Sequence, residues 1–298
     1  MIANKGDRFQ VSDYIQFFSS VVTAKVAQVA TFFAVVTVLA WLKSGAPALQ
    51  WDSSLRRSGG VNLGLVLFNC ALLGVVASAS AALLMLLQSI PHLPHLPHAF
   101  WQDTPWLVRA FAALFILDFT NYWLHRFAHA NAWLWPLHAV HHSDTDMHFL
   151  SSHRAHILEW LVMTPLVVAA AYLCGLSVDG VVFLTLVREF HQFYVHSKLD
   201  WSHGPLRHVI ADPRFHRWHH VDRPEAHNKN FALFFPFLDL AFGTYYVPGP
   251  AIAQPTGFEG NPGDDFLKLL AFPFRAWAGM VREGLARAKS PDAPHAPS

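Results

Sequence analysis

Three clusters of closely spaced histidines carry the chemistry open to this chain. They are His125 and His129 (HRFAH), His138, His141 and His142 (HAVHH), and His216, His219 and His220 (HRWHH). On a helix, side chains three and four residues apart share a face, with Cβ atoms about 5–6 Å apart. Each cluster can therefore aim imidazoles at one point, and in the HxxHH boxes both the i, i+3 and the i, i+4 pairs are candidates. Neutral imidazole suits iron, zinc and copper, so ligand type alone does not fix the metal. Its ordinary pKa near 6.5 makes such binding sensitive to acid. The clusters supply more imidazoles than a four-coordinate zinc site needs, enough for two metal ions. A lone histidine is more often a hydrogen-bonded surface residue than a ligand; three boxes, two ending in the same doubled histidine, argue for a metal cluster. Two alternatives compete. A membrane zinc hydrolase would need a general base such as the glutamate of HExxH, which no box supplies. A metal-binding or transport protein would spread its histidines over several membrane depths.

The elements that must position these boxes read as membrane helices. Of 298 residues, 53% are hydrophobic and 14% charged, against about 25% charged in an ordinary soluble domain. The formal net charge of +1 gives no field that would draw in nucleic acid. Cys70 and Cys174 lie in apolar runs and read as buried hydrophobes, not as a disulfide or a thiolate site. A bilayer core of about 30 Å takes about 20 apolar residues as a helix, which predicts spans over 27–42, 61–90, 106–124, 157–176 and 178–195. The expected fold is thus all-α: a polytopic transmembrane bundle of about four to five membrane helices with a histidine-rich helical cap. The last span contains Arg188, Glu189 and His191, and the third Asp118 and Asn121; such groups are costly in lipid and should face protein or water. Lys43, Arg56 and Arg57 lie between the first two spans, whereas the 91–105 loop has no Lys or Arg. The positive-inside tendency then puts the boxes at the cytoplasmic face of a multi-pass protein. Trp133, Trp135, Trp201 and Trp218 flank the spans, as interfacial anchors would. No internal repeat, linker or cleavable signal peptide is evident. The expectation is one integral-membrane domain over 1–289, with a histidine-box core at 106–247, and a disordered Pro- and Ala-rich tail at 290–298.

The motifs around the boxes resemble those of the fatty acid hydroxylase/sterol desaturase superfamily of membrane di-iron enzymes. DFTNYWLHRFAH, from Asp118 to His129, is similar to the family's "D..YW.HR..H", and LWPLHAVHHS, from Leu134 to Ser143, to its "LW..H.vHHS". Arg154 to Glu159 is similar to "R.HP.E", and Phe193 to Ser197 to "f.HSN". The run from His216 through Asn228, Asn230 and Asp239 to Thr244 is similar to "HR.HH … NKNFG … D..FGT". Ile157, Lys198 and Ala232 depart from the family's Pro, Asn and Gly without removing a box histidine. The resemblance implies two iron ions held by histidine, with O₂ as co-substrate, and hydroxylation or desaturation of a hydrophobic lipid such as a sterol or fatty acyl chain. It implies that His156, His191 or His196 completes the ligand set: His196 matches the motif best, and His191 lies beside Glu189 in an apolar span. His153, Asp118 and Glu159 are candidates for ligands or for acceptors of a ligand's second N–H. His148, His203, His208 and His227 are expected outside the set, and His92, His95 and His98 read as loop composition. Arg126, Arg154 and Arg217 sit beside box histidines, where they can order loops or meet headgroups; for Arg217 a solvated charge is an equal reading. Phe231, Phe234, Phe235 and Phe237 either pack the cap or line a lipid path, with packing favoured. No GxGxxG signature or cysteine cluster for iron–sulfur is present, so electrons would come from a ferredoxin- or cytochrome-type partner with its reductase.

Overall fold

The apolar runs fold as helices, and the polar residues inside them decide which faces turn inward. The computed structural model describes residues 53–289 apart from 177, together with isolated positions between 23 and 38. The expected span at 27–42 falls largely outside the described residues, and the expected tail at 290–298 wholly so. The helices are α1 (Ser53–Ala71), α2 (Leu73–Ser89), α3 (Trp106–Ala130), α4 (Trp135–His142), α5 (Ile157–Leu173), α6 (Val178–His196), α7 (Pro213–His220), α8 (Phe237–Ala241) and α9 (Phe266–Lys289). Short 3₁₀ turns lie at His98–Trp101, Phe149–His153 and Gly204–His208. Among the described residues there is no strand, only an isolated bridge between Val221 and Thr256.

The run at 61–90 is one uninterrupted apolar stretch in sequence but two helices in space, bent by 48° where α1 meets α2. The bend follows from hydrogen bonding. Leu72 N–H reaches Asn69 O, three residues back, and the Asn69 side chain leaves the helix to donate to Ala155 O at 3.0 Å. Ser58, Asn62 and Asn69 lie along one buried face of α1. That face packs on the cap: Ser58 Oγ lies 2.8 Å from His148 Nε2, and Asn62 binds both Asp144 and Arg154. α2 packs against α5, and α3 against α5 and α6.

Among the described residues, α3 alone is able by length and composition to cross a membrane, or two spans are if α1 and α2 count as one broken span. α5 is apolar but shorter, at 17 residues. It stops where Gly175 takes a left-handed conformation (φ +68°), and Leu96 N–H bonds to Leu173 O at 2.9 Å. A Cβ at Gly175 would lie 2.6 Å from Leu96 O, so only glycine fits there. The ionic groups of α6 do face protein: Arg188 donates to Asn121 Oδ1 on α3, and Glu189 lies 3.4 Å from His153.

Candidate metal centre

Each histidine box is set by a local device. α3 ends at Asn131, whose Oδ1 accepts from Trp133 N and Leu134 N and whose carbonyl accepts from Trp135 N. One residue thus joins the first box helix to the second. Asp212 caps α7, accepting from Phe215 N at 2.9 Å, and Pro213 starts the helix where its missing N–H costs nothing. α6 packs against α7 and brings His196 beside the third box.

Nine histidines gather into two adjacent groups. His125, His129, His138, His142 and His219 form one, and His141, His196, His216 and His220 the other; within each, the ligand nitrogens all lie within 4.8 Å of one another. The rings of His142 and His220, one from each group, stack at 4.4 Å. In both HxxHH boxes the i, i+4 pair serves one group and the i+3 histidine the other. The i, i+3 pairs expected on one face therefore do not share a point. Successive helical side chains diverge by about 100°, so a doubled histidine cannot address a single centre but can address two.

The inward nitrogens are spaced as ligands of a metal are. Nε2–Nε2 distances are 2.9 Å for His125–His138, 3.1 Å for His138–His142, 3.2 Å for His141–His196, 3.1 Å for His196–His216 and 3.3 Å for His216–His220. Metal–nitrogen bonds of about 2.0–2.1 Å place neighbouring donors roughly 3.0–3.4 Å apart, from right-angled to tetrahedral geometry. His129 Nε2 and His219 Nε2 are buried without a hydrogen-bond partner, a cost that a coordinated cation removes.

The outward nitrogens fix the tautomers. Nδ1–H of His125 donates to Phe231 O (2.9 Å), that of His219 to Lys229 O (2.7 Å), that of His196 to Gln192 O (2.8 Å) and that of His138 to the Glu159 carboxylate (2.6 Å). With the proton held outside, the lone pair of Nε2 points in. Burial holds His138 and His141 as neutral imidazoles, pushing each down to about 3. Burial and then neighbouring imidazoles push His142, His216, His219 and His220 well below the usual histidine range. The donor set is thus neutral and nitrogen-only, which fits iron as well as zinc or copper.

Of the three candidates for completing the set, only His196 joins a group. His156 Nε2 bonds to Leu270 O and its Nδ1 caps α5 at Leu158 N. His191 Nε2 bonds to Leu233 O while its ring stacks on Phe234 at 4.1 Å. His148, His203, His208 and His227 stand outside both groups. Asp118 and Glu159 take different parts. Glu159 orients His138, whereas Asp118 accepts from the N–H groups of Leu233, Phe234 and Phe235 and touches no box histidine. Asp239 does the same for Phe231 and Ala232. The two carboxylates hold the 231–235 loop whose Phe231 carbonyl faces His125. Phe231, Phe234 and Phe235 are buried against Tyr122 and Val195, so they pack the core as favoured.

Arg154 and Arg217 order loops from inside. Arg154, fully buried, binds Ser143, Asn62, Asp264 and Gly263 O; Arg217 donates to Met147 O and Ala251 O. Burial alone would raise the Asp144 carboxyl, but Arg154 and the Ser151 and Asn62 hydrogen bonds hold it below the usual carboxylate range. The buried stripe of α1 and the clamp role of Asp239 are not read from sequence. The signal for the stripe was Asn62 and Asn69 in a run otherwise free of strong polar groups.

Residues 110–244, somewhat under half of the chain, match the fatty acid hydroxylase family, the same segment whose motifs carry the resemblance. Similar proteins include the ornithine lipid hydroxylase OlsE of Rhizobium tropici, 31% identical over 59% of this chain and 53% of its own. The alkylglycerol monooxygenase of Homo sapiens is 29% identical over 48% of this chain and 31% of its own, and methylsterol monooxygenase 1-3 of Arabidopsis thaliana 31% identical over 43% and 45%. The chain thus spans about half or less of the length of these relatives. No solved structure matches it significantly.

Proposed function

We propose that this protein is a membrane di-iron oxygenase that hydroxylates a lipid, with one iron held by His125, His129, His138, His142 and His219 and the other by His141, His196, His216 and His220. The observation carrying this reading is the pair of adjacent neutral histidine groups with ligand spacing. Iron in such a site supplies O₂ activation, which zinc, lacking redox chemistry, does not. The chain's own residues aim the rings, keep them neutral and exclude water: the carbonyls of Lys229 and Phe231 and the carboxylate of Glu159 retain the outer protons. Hydroxylation is preferred to desaturation because the similar proteins are named for hydroxylation or monooxygenation of an ornithine lipid, an alkylglycerol and a methylsterol. The substrate is a hydrophobic lipid reached from the bilayer, and two electrons per turnover come from a ferredoxin- or cytochrome-type donor with its reductase. The reading places residues 1–289 in one multi-pass domain of about four to five membrane helices, with the boxes at the cytoplasmic face.

The test is metal content and oxygen incorporation in detergent-purified protein grown with iron. About two irons per chain are expected, with loss in both His141→Ala and His219→Ala and incorporation of an ¹⁸O atom from ¹⁸O₂ into a lipid product. One tightly bound zinc with no iron uptake on reconstitution, or full activity in either variant, overturns it.

A further inference from the structure

Helix α9 lies beyond the matched segment 110–244 and has three separate sectors. Its inner face belongs to the cap: Leu269 is fully buried with Leu65 of α1 and Val140 of α4, and Leu270 O receives His156 Nε2. A second sector is apolar and open. Leu267, Phe274 and Val281 recur at heptad spacing, Leu285 follows one turn later, and they are 72%, 52%, 48% and 58% exposed. A third sector, beside it, is basic: Lys268, Arg275 and Arg282 each follow an exposed apolar residue and are themselves exposed.

We propose that α9 lies along the membrane surface as an interfacial helix. Its Leu267–Phe274–Val281–Leu285 edge enters the acyl boundary, and its Lys268–Arg275–Arg282 ridge rests on anionic headgroups. An apolar edge flanked by Lys and Arg is what such a surface selects, and basic residues this close to it are drawn to anionic headgroups. The position agrees. Trp277 Nε1 donates to Trp133 O just past the end of α3, the helix able to cross a membrane, where Trp123, Phe127 and Trp133 are exposed. Tryptophan collects at that boundary. A second copy of the chain fits the edge poorly. A stable helix–helix seam is filled by large apolar side chains at both a and d positions, whereas two of the three companion positions here hold only the small Ala271 and Ala278, and two like-charged ridges would meet. The inference rests on the reading of the chain as a membrane protein and not on the reaction it runs. Through Leu269 and Val140 it couples the lipid surface to the box helix α4.

The experiment uses the full chain in nanodiscs, with Cys70→Ala and Cys174→Ala as background. Single cysteines replace Leu267, Phe274, Val281, Leu285 or, as the aqueous control, Glu283, and carry a nitroxide. In phosphatidylglycerol-containing discs the four edge labels should be several-fold more accessible to oxygen than to an aqueous nickel chelate, with the order reversed at Glu283. The Lys268→Glu/Arg275→Glu/Arg282→Glu variant should move the edge labels toward the nickel reagent. Water-exposed edge labels in every lipid overturn the proposal. So do labels shielded from both reagents and broadened by spin–spin contact, which would mean a second copy covers the edge. Unchanged burial in pure phosphatidylcholine and in the triple variant overturns the headgroup contact. None of these readouts needs metal, substrate or electrons, so a failed oxygenase reading leaves them intact.

Discussion

The direction in which a ring offers its free nitrogen is set by what its other nitrogen does, and among the proposed ligands His138 shows this most directly. Its Nδ1 is 2.6 Å from Glu159, and its Nε2 lies 2.9 and 3.1 Å from those of His125 and His142. Glu159→Ala should therefore weaken metal retention by roughly ten- to a hundred-fold, the usual effect of losing an outer partner. Glu159→Gln, which keeps an acceptor but not the charge, should lose less. Metal content after graded chelator dialysis measures both, and equal retention in wild type and Glu159→Ala would remove Glu159 from this role. Asp118 acts one step further out. Asp118→Asn replaces an acceptor facing three backbone N–H groups with an amide whose N–H₂ opposes them. It should cost about 1–3 kcal/mol of stability for a buried donor left unpaired, read as a fall in melting temperature that persists with metal removed. Both carboxylates stand out in the sequence because they interrupt apolar helices. Their different partners are not legible, since the partners of Asp118 lie more than a hundred residues away on a loop with no periodicity.

Among the elements, α1 departs most from its sequence appearance. Hydropathy merges it with α2, because a window average hides two asparagines and a serine on one helical face. In the fold that face serves as a polar seam, and Asn62 bridges Asp144 and Arg154 at the foot of the second box. Asn62→Leu would be harmless on a lipid-facing helix. Here it should destabilise by about 1–3 kcal/mol, because Arg154 and Asp144 lose a partner in a buried network. A melting curve unchanged by this substitution would return α1 to the lipid. By contrast, the box helices and their i, i+4 histidine pairs are legible, since side chains four apart on a helix share a face, whereas the i, i+3 pairs expected on that face separate. What spacing cannot give is the assignment of each histidine to a group. His141 and His142 separate because adjacent helical side chains diverge, and His196 joins through packing of α6 on α7, a tertiary contact. The same contacts leave His156 and His191 bonded to backbone carbonyls.

For the molecule as a whole, so many neutral imidazoles in one interior tie stability to pH. In the unfolded chain a histidine takes up a proton near pH 6.5. In the fold, burial delays this to about 3 for His138 and His141, and well below the usual range for His142, His216, His219 and His220. Between those limits the unfolded state binds more protons, so stability must fall as pH falls. The neutral-imidazole contribution is complete above about 6.5, and each such residue can remove up to about 1.4 kcal/mol per pH unit below it. Metal-stripped protein in detergent should thus melt at a nearly constant temperature between about pH 8 and 7 and at steeply lower temperatures below about 6. Metal-loaded protein should hold its melting temperature to lower pH, until protons displace the ion from its nitrogens. A metal-free melting temperature that rises on acidification would mean that the imidazoles are charged in the fold. The cluster would then be a set of cationic side chains held by carboxylates such as Glu159, and not a preformed ligand shell.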